Sequence, residues 1–192
     1  MDLEELAQRL RALPPSCGPV RLVAVDGHAG AGKTTFAGAL SRALAGAPVV
    51  HLDDLATHDE LFGWTGRLRD EVLEPLREGA TARHRVYDWT ARRFDGLAVI
   101  PPAPVVLLEG VGAGRRALRP WLARLLWLDV ARDTARARGE LRDGPDLAGF
   151  WSGWMRAQEA HFATDPSRPF ADLLVKQRPD GYEVHTMSVG LP

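Results

Sequence analysis

Residues 27–35 read "GHAGAGKTT", and they follow directly on "RLVAV" at residues 21–25. The apolar run has the character of a short buried strand. The residues from Lys33 to Leu44 then place Phe36, Ala39, Leu40 and Leu44 on one helix face. Between strand and helix, Gly27, Gly32, Lys33 and Thr34 satisfy the spacing G-x-x-x-x-G-K-[ST] in the context that gives it meaning. Backbone N–H groups along Gly27, His28, Ala29, Gly30, Ala31, Gly32, Lys33, Thr34 and Thr35 can turn inward on an anion, and the helix N-terminus adds partial positive charge. Lys33 is placed to reach β- and γ-phosphates, and the Thr34 hydroxyl to ligate Mg2+.

Composition supports a working loop. Of the 24 lysines and arginines only two, Lys33 and Lys176, are lysine. A compact ammonium and a planar guanidinium are not interchangeable between phosphate oxygens, so a lysine kept at this position in an arginine-biased chain is informative. The 192 residues, 45% hydrophobic and 26% charged, suit one α/β domain with a sizeable core. The formal net charge of -1 argues against a general electrostatic nucleic-acid binder. No apolar run reaches the roughly 18 residues of a membrane span, and "MDLEELAQRLRAL" carries acids where a secretion signal carries positive charge. The expectation is a cytoplasmic protein with no membrane or nucleic-acid partner. Cys17, the single cysteine, can form neither an internal disulfide nor a metal cluster.

The rest of the chain alternates strand-like and helix-like periods. Leu3, Leu6, Leu10 and Leu13 mark a helix that "PPSCGP" ends. Further buried strands are predicted at "PVVHL" (48–52), "PVVLLE" (104–109), "RLLWLDV" (124–130) and "ADLLV" (171–175). Apolar strands separated by helices imply a parallel sheet covered on both faces. The predicted architecture is a single P-loop domain over 1–192: an α/β fold with about five parallel strands sandwiched by helices. Residues 1–19 form an N-terminal helix and linker, 54–103 a substrate-side insertion with a hairpin of "HRVYDW" and "GLAVI", and 133–145 a helical lid.

In an open parallel sheet, ligands gather beyond the carboxyl ends of the strands. Those ends carry Asp26, Asp53 with Asp54, and Glu109. A carboxylate after the second strand, Asp53 or Asp54, can take a proton from an acceptor hydroxyl while Glu109 holds Mg2+. Asp26, beside the loop, is expected to bond its backbone. The chain contains no asparagine, so the Asn-Lys-x-Asp guanine-reading motif is absent.

The succession "VDGHAGAGKTT", "VVHLDDL", "RVYDW", "VVLLEGVGA", "LWLDV", "DTARARGELRD" and "FADLLV", spread over residues 20–176, resembles the uridine kinase family and its phosphoribulokinase and pantothenate kinase relatives. The resemblance implies an ATP- and Mg2+-dependent kinase that phosphorylates a hydroxyl of a small molecule under a closing lid. By position it implies Asp53 as general base, Glu109 as the strand-end acid, Tyr87 on the substrate side, and Arg138 and Arg142 as lid arginines. Those two are four residues apart and share a helix face. The family's nucleoside-reading aromatic and histidine are replaced here by Ala56 and Arg92. Trp64 offers a replacement stacking surface, whereas Trp154 and His161, at helical spacing, read as core. Arg83, Arg85, Arg92 and Arg93 around "VYDW" predict a cationic substrate side, and Arg83, Arg85 and Tyr87 share one face if the strand is regular. The acceptor is accordingly expected to be nucleoside-like or anionic. The opposing reading is a nucleotide-binding regulator without phosphotransfer.

Overall fold

The computed structural model describes residues 1–187. α1 (Leu3–Arg11) opens the chain, with the Asp2 side chain accepting from the Glu5 N–H at 2.9 Å as its N-cap. β1 (Arg21–Asp26), α2 (Lys33–Ala43) and β2 (Val49–His51) follow, and a single 3-10 turn, Leu52–Asp54, carries the chain off the end of β2. The insertion holds α3 (Thr65–Leu68), a π-helical turn (Arg69–Leu73) and α4 (Glu74–Arg77), which run on as one rod, then β3 (Ala82–Asp88) and β4 (Arg93–Ile100). β5 (Val105–Glu109), β6 (Leu122–Leu128), α5 (Arg132–Asp143), α6 (Ala148–Thr164), β7 (Leu173–Arg178) and β8 (Gly181–Thr186) complete the order.

The main sheet runs β2-β5-β1-β6-β7-β8. Its first five strands are parallel, at the five predicted places; the central β1 and β5 are apolar and buried on both faces, whereas β2 and β7 are only partly buried. Alternation along β1 divides the core. Leu22 and Ala24 face the insertion with Leu108, Trp64 and Leu68, while Val23 and Val25 face α1 and α2 with Leu6, Leu10, Phe36 and Leu40. The sixth strand, β8, was not legible as one: it pairs antiparallel to β7 at the sheet edge and buries only Val184, so no apolar run announces it.

β3 and β4 form a separate antiparallel hairpin. Its register shifts between Arg85 and Tyr87, so Tyr87 turns inward whereas Arg83 and Arg85 stay exposed. The shared face expected for these three residues does not form. Among the described residues no helix is long and apolar enough to cross a membrane.

Candidate active site

The C-terminal ends of β1, β2 and β5 open into a cleft of about 670 Å³, closed on the far side by α5 and α6. Its floor is the phosphate loop. Gly27, Gly30 and Gly32 take φ of 153°, 82° and 89°, conformations that favour glycine and let the backbone turn tightly ahead of α2. Ala29, Gly30, Gly32, Lys33, Thr34 and Thr35 line the cleft, whereas Gly27 and Ala31 are buried beneath it. The His28 ring lies edge-on between Trp127 and Phe162, at 5.4 and 5.5 Å, so its side chain contributes packing and its carbonyl contributes to the site. That carbonyl accepts from Lys33 Nζ at 3.1 Å and holds the ammonium at the loop.

Two buried side chains fix the loop from behind. Asp26 accepts from the N–H groups of Gly27, Gly112 and Gly114 at 2.7, 2.9 and 2.9 Å, which ties the end of β1 to the turn after β5. This is the structural role its position suggested. Gln158, which no sequence motif singles out, reaches from α6 and accepts from the Ala29 N–H at 2.7 Å.

α5 lies directly on the loop. A Cβ added at Gly30 would sit 2.0 Å from the Ala135 carbonyl oxygen, and its φ of 82° already disfavours any side chain. Gly30→Ala is therefore expected to cost about 1–3 kcal/mol of stability. Thermal melting should show a lowered Tm; an unchanged Tm would mean that α5 does not rest on the loop. Arg138 and Arg142 both line the cleft, as their spacing on α5 implied. Arg138 donates to Gln177 Oε1 at 3.1 Å, and Arg142 grips Asp143 through two bonds of 2.6 and 2.9 Å. The Arg142 pKa is held above its ordinary value mainly by that bond, and Asp53 adds to the effect through space.

The acidic side of the cleft comes from β2 and β5. Asp53 projects into the cavity and is open to it, while Asp54, on the same turn, is half-buried away from the lining. The carboxyl of Asp53 is pushed above the ordinary carboxylate range first by loss of bulk water and then by Glu109 and Asp54, with Lys33 opposing. Protein crowds Asp53 on most sides even though its carboxylate touches the cavity, so the direction follows from the crowding and the cavity moderates its size. Glu109 is buried at the end of β5, and its Oε2 accepts from Thr34 Oγ1 at 3.3 Å and from His51 Nδ1 at 2.8 Å. That hydrogen bond raises the His51 pKa against the lowering effect of burial.

The acceptor side differs most from expectation. Trp64 is wholly buried in the core beneath the Arg115 guanidinium, 3.8 Å from its ring, and offers no stacking surface. Tyr87 is buried too and does not line the cleft; its hydroxyl lies 3.0 Å from Nδ1 of His58, which does. Arg92 sits exposed at the hairpin tip with φ 55°, outside the cleft lining. Arg85 lies over Phe94, and Arg93 pairs with Asp95 at 2.6 Å. The wall that does face the cavity is made of His58, Trp89, Phe150 and Trp154. Trp89 donates from Nε1 to the Asp53 carbonyl at 3.1 Å. Trp154 is buried as expected of a core residue, yet it also forms part of this wall. Helical spacing alone could not separate a core face from a cavity face.

Thr34 and Glu109 present oxygen donors together, the chemistry that suits Mg2+. Among the described residues no three His, Cys, Asp or Glu side chains are grouped to hold a metal by themselves. A Mg2+ ion bound through one carboxylate, one hydroxyl and substrate phosphates needs no such group.

No family model matches the chain. A 111-residue stretch is 31% identical to the inorganic pyrophosphatase TTM2 of Arabidopsis thaliana, covering 53% of this chain and 16% of that protein's length. The structure superposes on a possible uridine kinase from Bacillus stearothermophilus with TM-score 0.63 and 18% identity, over 90% of this chain and 96% of that one. It superposes on a candidate fructose transport system kinase from Silicibacter sp. TM1040 with TM-score 0.60 and 23% identity, over 83% and 95%. Identities this low speak for the fold alone, an α/β fold with a mostly parallel sheet that the chain shares with both of these proteins.

Proposed function

We propose that the protein transfers the γ-phosphate of ATP, in a Mg2+-dependent reaction, to a hydroxyl of a small, uncharged acceptor that carries a flat or apolar ring. The observation that carries this reading is the placement of Asp53. It is a carboxylate open to the cavity, within electrostatic reach of Lys33 and beside an aromatic wall.

The residues divide the work by position. Loop N–H groups and Lys33 hold the β- and γ-phosphates, and Arg138 and Arg142 face the same space from α5. Thr34 and Glu109 hold Mg2+, which supplies positive charge against the phosphate oxygens. Asp53 takes the proton of the acceptor hydroxyl as its oxygen attacks phosphorus. The new P–O bond forms as the bridging P–O bond to ADP breaks, and the bonding electrons leave on ADP.

The lining favours a ring-bearing acceptor over an anionic one. None of the hairpin arginines that suggested an anion lines the cleft. Arg85 lies over Phe94, Arg93 pairs with Asp95, and Arg92 reaches only as far as a through-space effect on His58, whereas Trp89, Phe150 and Trp154 present π surface to the cleft. Aromatic stacking is worth about 1–3 kcal/mol per ring.

The test is acceptor-dependent ADP release with MgATP across nucleosides, ring-bearing alcohols, hydroxy acids and phosphorylated sugars. Uncharged ring-bearing alcohols are expected to lead. Phe150→Ala should raise the acceptor KM about tenfold while nucleotide affinity holds. Tight nucleotide binding without acceptor-dependent ADP release from any of them would favour the regulator reading. A preference for hydroxy acids would restore the anionic acceptor.

A further inference from the structure

His51 has no role in the scheme above, and no motif pointed to it. β2 and β5 pair in parallel with His51 directly opposite Glu109, so backbone register alone sets the two side chains side by side. On the other flank of β5, Val25 of β1 pairs with Glu109, and the phosphate loop begins two residues later. Glu109 is thus bracketed: Thr34 donates from the loop side at 3.3 Å and His51 from the β2 side at 2.8 Å, both to Oε2. Among the described residues Oε1 makes no hydrogen bond. The Glu109 side chain is only 7% exposed, whereas that of His51 is 39% exposed. A buried carboxylate on a flexible two-carbon stem therefore has one oxygen pinned and one left for an ion.

We infer that His51 is a positioning residue that orients Glu109 for Mg2+ and thereby sets the metal affinity of the site. The inference rests on the reading of Glu109 as the metal-side carboxylate, and it does not require that phosphotransfer occur. Partners that orient a metal ligand typically contribute about 10- to 100-fold in metal affinity. An imidazole donor suits the task because its ring cannot follow the carboxylate through other rotamers.

The experiment measures ADP binding by calorimetry at graded free Mg2+, with no turnover involved. His51→Leu and His51→Ala remove the donor, His51→Asn keeps an N–H on a short side chain, and Glu109→Gln serves as reference. The expected result is a Mg2+ half-saturation point raised about tenfold in the Leu and Ala variants, with metal-free ADP affinity unchanged and His51→Asn closer to wild type. Three results would overturn the inference. Mg2+ dependence within twofold of wild type in folded Leu or Ala variants, while Glu109→Gln is impaired, would remove His51 alone. An equal loss of metal-free ADP affinity would make His51 merely structural. Normal Mg2+ dependence in Glu109→Gln would remove the metal-side role of Glu109 and that of His51 with it.

Discussion

Lys33→Ala is expected to lower the proposed phosphotransfer by about 10³-fold and to weaken ATP binding, the scale set by losing one preorganised charge at a transition state. Lys33 is buried at the loop, with Nζ already held 3.1 Å from the His28 carbonyl, so the ammonium needs no reorganisation to meet a phosphate. Among the described residues lining the cleft, nothing replaces it. The other lysine, Lys176, lies exposed on β7, and the cleft's two other cations are arginines engaged with Gln177 and Asp143. Lys33→Arg should fail nearly as badly, because a planar fork does not fit where a compact charge sits. Steady-state kinetics with nucleotide titration would decide it. Activity within tenfold of wild type in the alanine variant would mean that the loop does not hold the transferring phosphate.

The loop was the most legible part of the chain, because a phosphate nest demands particular residues at fixed spacing and leaves them in the sequence. The parallel strands were legible for a similar reason: in β1 and β5 burial on both faces writes an unbroken apolar run, and β2, β6 and β7 each keep a shorter apolar stretch. β8 and the acceptor wall were not. An edge strand that buries one residue carries no such run. The wall gathers His58, Trp89, Phe150 and Trp154 from three separate segments, which only the tertiary fold brings to one surface. The irregularity after Arg85 shows the limit most plainly, since one shifted register reverses which side chains face in.

Asp53→Asn removes the proposed base and should lower kcat by about 10²- to 10⁴-fold with nucleotide affinity nearly intact. Asp54→Asn, half-buried outside the cleft lining, should lose less. Comparable small losses at both positions would count against a base on this turn. The two pH dependences follow from the raised Asp53 pKa. The acid limb of kcat/KM should lie above the ordinary carboxylate range, because the base works only when deprotonated. A group whose folded pKa is raised contributes its stability fully below the unfolded value and loses that contribution as pH rises through the folded value. At neutral pH the ionised Asp53 therefore disfavours the empty fold, though water in the cavity keeps the effect modest. Asp53→Asn should accordingly raise Tm slightly at pH 7. The gain should vanish below the ordinary carboxylate range, where wild type is protonated in both states. A variant that loses both turnover and stability would indicate a folding defect rather than a missing base.

α6 offers both halves of the cleft a common wall. Phe150 and Trp154 stand toward the acceptor side, and one turn beyond Trp154 the Gln158 side chain holds the Ala29 N–H of the phosphate loop. Such sharing constrains how the protein can be re-specified, by evolution or by design. A new acceptor can be admitted by exchanging side chains at 150 or 154 for others that leave the helix axis where it is. An exchange that tilts or slides the helix changes the acceptor pocket and unseats the loop in the same step. The accessible route to new substrates on this scaffold therefore runs through residue size and shape, with the backbone of α6 as its fixed point.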